Sequence, residues 1–162
     1  MANSIKLKND LYWDQTSIKH DYIKVKATTN QTIATAGNMN VNFDTVVFKS
    51  GNAFQLYNNK VQVISDKVHH IRVDATLWIQ RYDNSYAQCY LTKNGSGQIR
   101  YMLDKTPSGS QPWASVTLST IMAVTKNDFI YPVIYFNNAN ADNGVRGGTY
   151  SDAVVMTVEV ID

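Results

Sequence analysis

An antiparallel all-β sandwich is the fold class this sequence predicts, and three observations predict it. Polarity is carried by 16 Asn and 14 Thr rather than by charge, since only 17% of residues are charged, against about 25% in an average domain. Glu occurs once, at Glu159, while Val occurs 16 times and Tyr 10 times, which gives little material for helical surfaces and much for strands. From Val68 to Gln80 the odd positions Ile71, Val73, Ala75, Leu77 and Ile79 are apolar, and the even positions His70, Arg72, Asp74 and Thr76 are polar. That two-residue period belongs to a half-buried strand. With 162 residues the chain can form one domain that buries roughly 68–70% of its unfolded surface, so a single main core is expected.

Taken in order, residues 1–27 read as an extended N-terminal arm and residues 28–162 as the head domain. In the arm, Ile5, Leu7, Leu11 and Trp13 share one face of two short extended pieces broken at Asn9-Asp10, and Tyr22 to Lys26 forms a third. So few strands make no core of their own, and their apolar side must pack on the head or on another chain. The head continues with Asn38 to Phe43, Val46 to Phe48 ending at Ser50-Gly51-Asn52, Ala53 to Tyr57, the turn Asn58-Asn59, Val61 to Ile64 and Val68 to Gln80. Further strands are predicted at Ser85 to Thr92, Gly97 to Leu103, Ala114 to Val124, Phe129 to Phe136 and Ala153 to Ile161. Short strands separated by turn residues at this spacing suit a sandwich.

Charge and composition exclude several classes. Formal net charge is +2, and beyond residue 26 ten basic residues balance ten acidic ones with no basic run. A nucleic-acid binder needs a concentrated basic face, so no nucleic acid is expected as a partner. No apolar stretch approaches the roughly 18 residues that span a bilayer, and Met1-Ala-Asn-Ser begins no charged-then-apolar signal, so the expectation is no membrane insertion and no secretion leader. Cys89 is the single cysteine, lies in the strand-like run Ala87 to Leu91, and is expected to be a buried inert thiol.

Several pieces, in this order, resemble the C1q/TNF-like jelly roll. Val41 to Val46 is similar to that family's early strand, and Phe54 to Val63 followed by Val68 to Ile79 is similar to its next pair. Leu91-Thr92-Lys93-Asn94-Gly95 resembles its hairpin, Lys126 to Tyr131 its Gly-Asp-aromatic step, and Thr149-Tyr150-Ser151 leading into Val154 to Ile161 its closing strand. Two positions depart from the pattern: Asn127 stands where the family has Gly, and Val68-His69-His70 replaces a Gly-Xaa-Tyr step. Separately, Ser4 to Asp14, a lysine-rich amphipathic start with a Tyr-Trp-Asp turn, resembles the opening of small tail or baseplate proteins of phages infecting Gram-positive bacteria.

Candidate chemistry is sparse. His69 and His70 are adjacent and point to opposite strand faces, while His70 and Asp74 lie about 13 Å apart along a strand, so neither pair holds one metal ion. The loop Asn137 to Gly144 lacks the Gly at the sixth place and the Glu at the twelfth of a calcium loop, and reads as a turn-rich structural segment. No Gly-Xaa-Ser-Xaa-Gly elbow, phosphate loop or zinc-helix motif occurs, and most of the 12 Asp residues sit in turn-like surroundings. The expectation is no catalytic residue, no metal and no cofactor.

Saccharide binding draws on the residue types that are present, because sugar rings stack their C–H faces on Trp and Tyr while Asn, Asp and Arg reach the hydroxyls. Arg100 and Tyr101 precede, and Trp113 follows, the Pro-, Gly- and Ser-rich loop Thr106 to Pro112, which contains Gln111, and these four are the candidate ligand site. Ordinary packing at a strand start is the alternative for Trp113. Tyr12 and Trp13 are the candidate docking pair of the arm, which has no core to bury them. Together the two resemblances imply a homotrimeric virion protein of the tail or baseplate, joined to other tail or baseplate proteins through residues 1–27 and attached by its head to host-surface saccharide. A purely structural decoration or fibre-mounting protein, and a tail saccharide depolymerase, are the rivals. Phe129 to Phe136 is apolar on both faces, which suits a strand covered on each side, as at a subunit interface.

Overall fold

Alternation of apolar and polar residues sets the strands, and Asn and Gly set the turns between them. The computed structural model describes residues 21–82, 85–104, 113–148 and 153–161. Tyr12, Trp13 and Gln111 lie outside these. The strands are β1 (Tyr22–Lys26), β2 (Gln31–Thr32), β3 (Gly37–Asn40), β4 (Thr45–Ser50), β5 (Phe54–Tyr57), β6 (Lys60–Val63) and β7 (His70–Gln80). They continue with β8 (Ala87–Lys93), β9 (Ser96–Leu103), β10 (Trp113–Ala123), β11 (Phe129–Phe136), β12 (Gly144–Val145) and β13 (Val154–Val160). No helix occurs among the described residues.

Two antiparallel sheets face each other. In the first, β10, β7, β13, β1 and β4 lie side by side, and β12 continues the β13 edge of β7 and carries β2. In the second, β5, β6, β11, β8 and β9 lie side by side, with β3 beside the far end of β11. The inward rows are those the two-residue period selects. Ile71, Val73, Ala75, Leu77 and Ile79 of β7 meet Cys89 and Leu91 of β8 and Ile130, Ile134 and Phe136 of β11 in one core, all fully buried. Each large aliphatic or aromatic side chain buried there contributes roughly 1.5–3 kcal/mol. Burial pushes the Cys89 thiol up to about 12, with the Arg81 guanidinium pulling weakly the other way. A thiol held protonated in this way is inert at neutral pH.

Local chemistry explains the turns. Asn58 and Asn59 join β5 to β6, and Asn94 and Gly95 join β8 to β9, all four with positive φ. This is the two-residue hairpin geometry that matches strand twist and favours Asn and Gly. Asn127, the departure from the family's Gly, has φ of 76°, which Asn tolerates far better than a branched residue. The hairpin and the Lys126 to Tyr131 segment turn out to be one structure: Asn94 Nδ2 donates to Asp128 Oδ1 at 2.6 Å, and Asn94 Oδ1 accepts from the Phe129 N–H at 2.8 Å. Asp128, buried, also accepts from the Thr125 N–H at 2.8 Å. Two sequence motifs therefore clasp each other across the sheet.

The arm boundary moves. Tyr22–Lys26 is an interior strand of the first sheet, paired with β13 on one side and β4 on the other, and Ile23 and Val25 are fully buried. Its alternation was legible, but only the long-range pairing assigns it to the sandwich, so the head begins no later than Tyr22. The apolar outward side of β11 is likewise covered within the chain: Tyr131 and Val133 are only 8% and 9% exposed, and the Lys60 ammonium lies 4.2 Å from the Tyr131 ring centroid. That strand needs no second subunit to cover it.

Candidate functional site

The β8–β9 hairpin fixes the site through a single irregularity. Near its turn, Lys93 faces Ser96 and Thr92 faces Gly97, but past a bulge Leu91 faces Ile99 and Tyr90 faces Arg100. Without the extra residue Arg100 would lie opposite Cys89, on the core side. The bulge shifts the register by one and sends the guanidinium to the outward face, because side chains alternate along a strand. Gly97 makes room for the neighbouring ring, since a Cβ there would stand 3.2 Å from Tyr90 Cδ1.

Arg100 lies in a groove of about 500 Å³ on the outward face of the second sheet, with Tyr90, Thr92, Gln98, Asn38 and Val133 also lining it. The floor is tied down: Thr92 Oγ1 donates to the Tyr131 carbonyl at 2.7 Å, and the Tyr90 hydroxyl donates to Gln88 Oε1. The Gln98 amide donates to the Ser96 carbonyl at 3.0 Å, which leaves its oxygen as an acceptor for a ligand. The groove thus offers an aromatic ring, a forked cation and carboxamides around an apolar patch. That mixture positions a polar ring-shaped ligand.

The three predicted ligand residues that lie among the described ones, Arg100, Tyr101 and Trp113, do not converge. Arg100 is in the groove, while Tyr101 follows it on β9 and faces the core side at the open sandwich edge, where its ring is 51% exposed. Trp113 begins β10 opposite Gln80, on the outward face of the other sheet. It is not a core anchor, being 42% exposed, and packs against Trp78 with ring centroids 5.4 Å apart. Arg146 lies 5.0 Å from the Trp113 centroid and is fixed by a 3.0 Å bond from its Nε to Gln80 Oε1. The core separates the two outward faces, so Arg100 and Trp113 belong to different surfaces.

Tyr90, Asn38, Gln98 and Val133 were not singled out from the sequence. The alternation Gln88, Tyr90 against Cys89, Leu91 places Tyr90 outward, but nothing local announces the bulge that brings Arg100 beside it. The other polar candidates are structural. His70 and Asp74 point outward on β7, where Asp74 accepts from Arg72 Nε at 3.0 Å and from Ser119 Oγ at 2.5 Å. In the loop Asn137 to Gly144, Asn143 is fully buried and bridges the Tyr82 N–H, at 2.8 Å, to the Asn138 carbonyl, at 3.0 Å. Asn137 Oδ1 accepts from the Tyr86 N–H at 2.7 Å. These amides bind backbone, as side chains in a turn-rich loop do.

No protein-family model and no curated protein sequence matches the chain. Solved structures do. A crystal structure of murine APRIL at pH 5.0 superposes with a TM-score of 0.61 at 14% identity, covering 88% of this chain and 100% of the other. A second, at pH 8.0, gives 0.59 at 14% identity with the same coverage. At that identity the likeness is one of fold, and the fold is the C1q/TNF-like jelly roll.

Proposed function

We propose that this protein is a non-enzymatic attachment protein of a phage tail or baseplate, a homotrimer whose jelly-roll head binds saccharide on the surface of a Gram-positive host. The groove carries this reading: Tyr90 and Arg100 stand side by side over an apolar patch, with Asn38 and Gln98 able to reach hydroxyls. Among the described residues the lining includes no carboxylate, and glycoside hydrolysis works through two of them, so the lining favours binding without cleavage. The virion assignment rests on the resemblance of Ser4 to Asp14 to phage tail proteins.

A trimer is supported by exposed apolar side chains on the neighbouring edge strands β9 and β10: Tyr101 and Met102 on the first, and Ile121 on the outward face of the second, 62% exposed. Such patches mark protein contacts. Three equivalent weak grooves would gain avidity on a repetitive wall polymer. The purely structural rival is favoured by a different feature, the edge strand β4, which exposes Val46, Val47 and Phe48.

The test is a glycan array of Gram-positive wall polymers probed with the intact chain and with Tyr90→Ala. Binding that falls at least about tenfold in the variant supports the groove, since a stacked ring contributes on the order of 1 kcal/mol or more. No binding to any wall polymer would transfer the assignment to the structural rival.

A further inference from the structure

Arg100 differs from the other arginines of this chain. Of the four, Arg72 pairs with Asp74, Arg81 donates to the Asp104 carbonyl, and Arg146 binds Gln80 and caps Trp113. Each is committed to an acceptor or a ring within the chain. Among the described residues no hydrogen bond or ion pair engages the Arg100 guanidinium, and it is the single charged side chain lining the groove. An exposed arginine on a convex surface would be satisfied by water alone. Arg100 is exposed too, but it stands at a concave wall beside an aromatic ring, with no acidic side chain in the lining among the described residues.

A guanidinium presents parallel N–H donors whose spacing matches the two oxygens of a carboxylate or phosphate, and such forked pairs are the strongest hydrogen bonds a side chain makes. A neutral sugar would leave that positive charge without a counter-charge in the complex, whereas an acidic sugar would pair with it. Building on the saccharide reading, we propose that the groove is selective for anionic sugars, with the acidic group held by Arg100 and the sugar ring against Tyr90. The shared chemistry is a phosphate or carboxylate borne on a pyranose. Tyr90 is spent as a donor on Gln88, so its part is to stack and Arg100 alone supplies the charge.

The experiment is a ligand-observed NMR titration of the intact protein with glucose, glucose 6-phosphate, glucuronate and inorganic phosphate at millimolar concentration, repeated with Arg100→Gln. At least one acidic sugar should bind about tenfold or more tightly than glucose, and which of the two does so identifies the acidic group. Arg100→Gln should abolish that preference, bringing the acidic sugars down to the affinity of glucose for the same variant, while leaving the melting temperature unchanged, because the side chain has no partner within the chain to lose. Arg100→Lys should retain part of it. Equal binding of glucose and both acidic sugars, or a preference that survives Arg100→Gln, overturns the selectivity and leaves the saccharide reading standing. Binding of inorganic phosphate as tight as that of glucose 6-phosphate overturns it by removing the sugar's contribution. Absence of any sugar signal overturns both.

Discussion

The two outward faces of the sandwich come from the same alternating pattern yet offer different surfaces. On the first sheet, β10 presents Ser115, Thr117, Ser119 and Ile121 beside Thr76, Asp74 and Arg72 of β7, in unbroken register. Hydroxyls and one ion pair satisfy each other there: Thr76 and Thr117 hydroxyls lie 3.5 Å apart, and Ser119 donates to Asp74. On the second sheet the bulge between Leu91 and Thr92 breaks the ladder, and a groove containing an uncommitted arginine lies beside it. A regular ladder consumes its own polar groups; an irregular one frees them for a ligand. The flat face suits a broad partner and the grooved face a small one.

Four perturbations break or sharpen this contrast. The largest acts on the first sheet. Removing residues 1–27 takes out β1, an interior strand, and should abolish cooperative unfolding measured by circular dichroism, whereas removing residues 1–20 should leave the melt in place. A folded 28–162 fragment would restore the longer arm.

The next acts on the anchor of the grooved face. Asp128→Ala removes the acceptor of the Asn94 amide and of the Thr125 N–H, and because water can reach both exposed donors the loss should be about 1–3 kcal/mol in urea titration, at roughly 0.5–1.5 kcal/mol for each bond. A loss below about 0.5 kcal/mol would mean that the hairpin and the Asp128 turn are not coupled.

A third perturbation separates the faces. Ile121→Asp places a charge at the exposed apolar side chain of the edge strand β10 and should convert a trimer to monomers in sedimentation at micromolar concentration, with array binding weakened through lost avidity. Arg100→Gln should leave sedimentation unchanged. A wild-type chain that sediments as a monomer would remove the trimer and the avidity argument together.

The smallest concerns Asp44, beyond the end of β1. Burial pushes its carboxyl up, but hydrogen bonds from the Thr28 N–H at 2.9 Å and from the Thr45 and Thr28 hydroxyls outweigh burial and hold it below its ordinary 3.8. A carboxyl depressed on folding stabilises fully above its unfolded pKa and loses that contribution as pH falls through the folded one. The wild type should therefore lose stability below about pH 4 more steeply than Asp44→Asn, with a small difference because the group is exposed. Parallel curves would show that these bonds do not discriminate between the two protonation states.

Read alone, the residues determined the elements. Period-two alternation located the long strands because each strand buries one face, and Asn58-Asn59 and Asn94-Gly95 located hairpins because positive φ is cheap for Asn and Gly. Cys89 was legible as buried for the same reason, lying between outward neighbours. Partnership was decided elsewhere. That Tyr22–Lys26 joins the sheet depends on β13 and β4, more than a hundred residues and about twenty residues away in the chain, and pairing at that distance leaves no local mark. Trp113 could not be assigned to core or surface until its strand met β7, which turned it outward onto Trp78 and Arg146. Arg100 shows the division most clearly: composition marked it as a ligand residue, but one inserted residue in the β8–β9 ladder chose its face, because a shift of one position in a strand reverses every side chain beyond it.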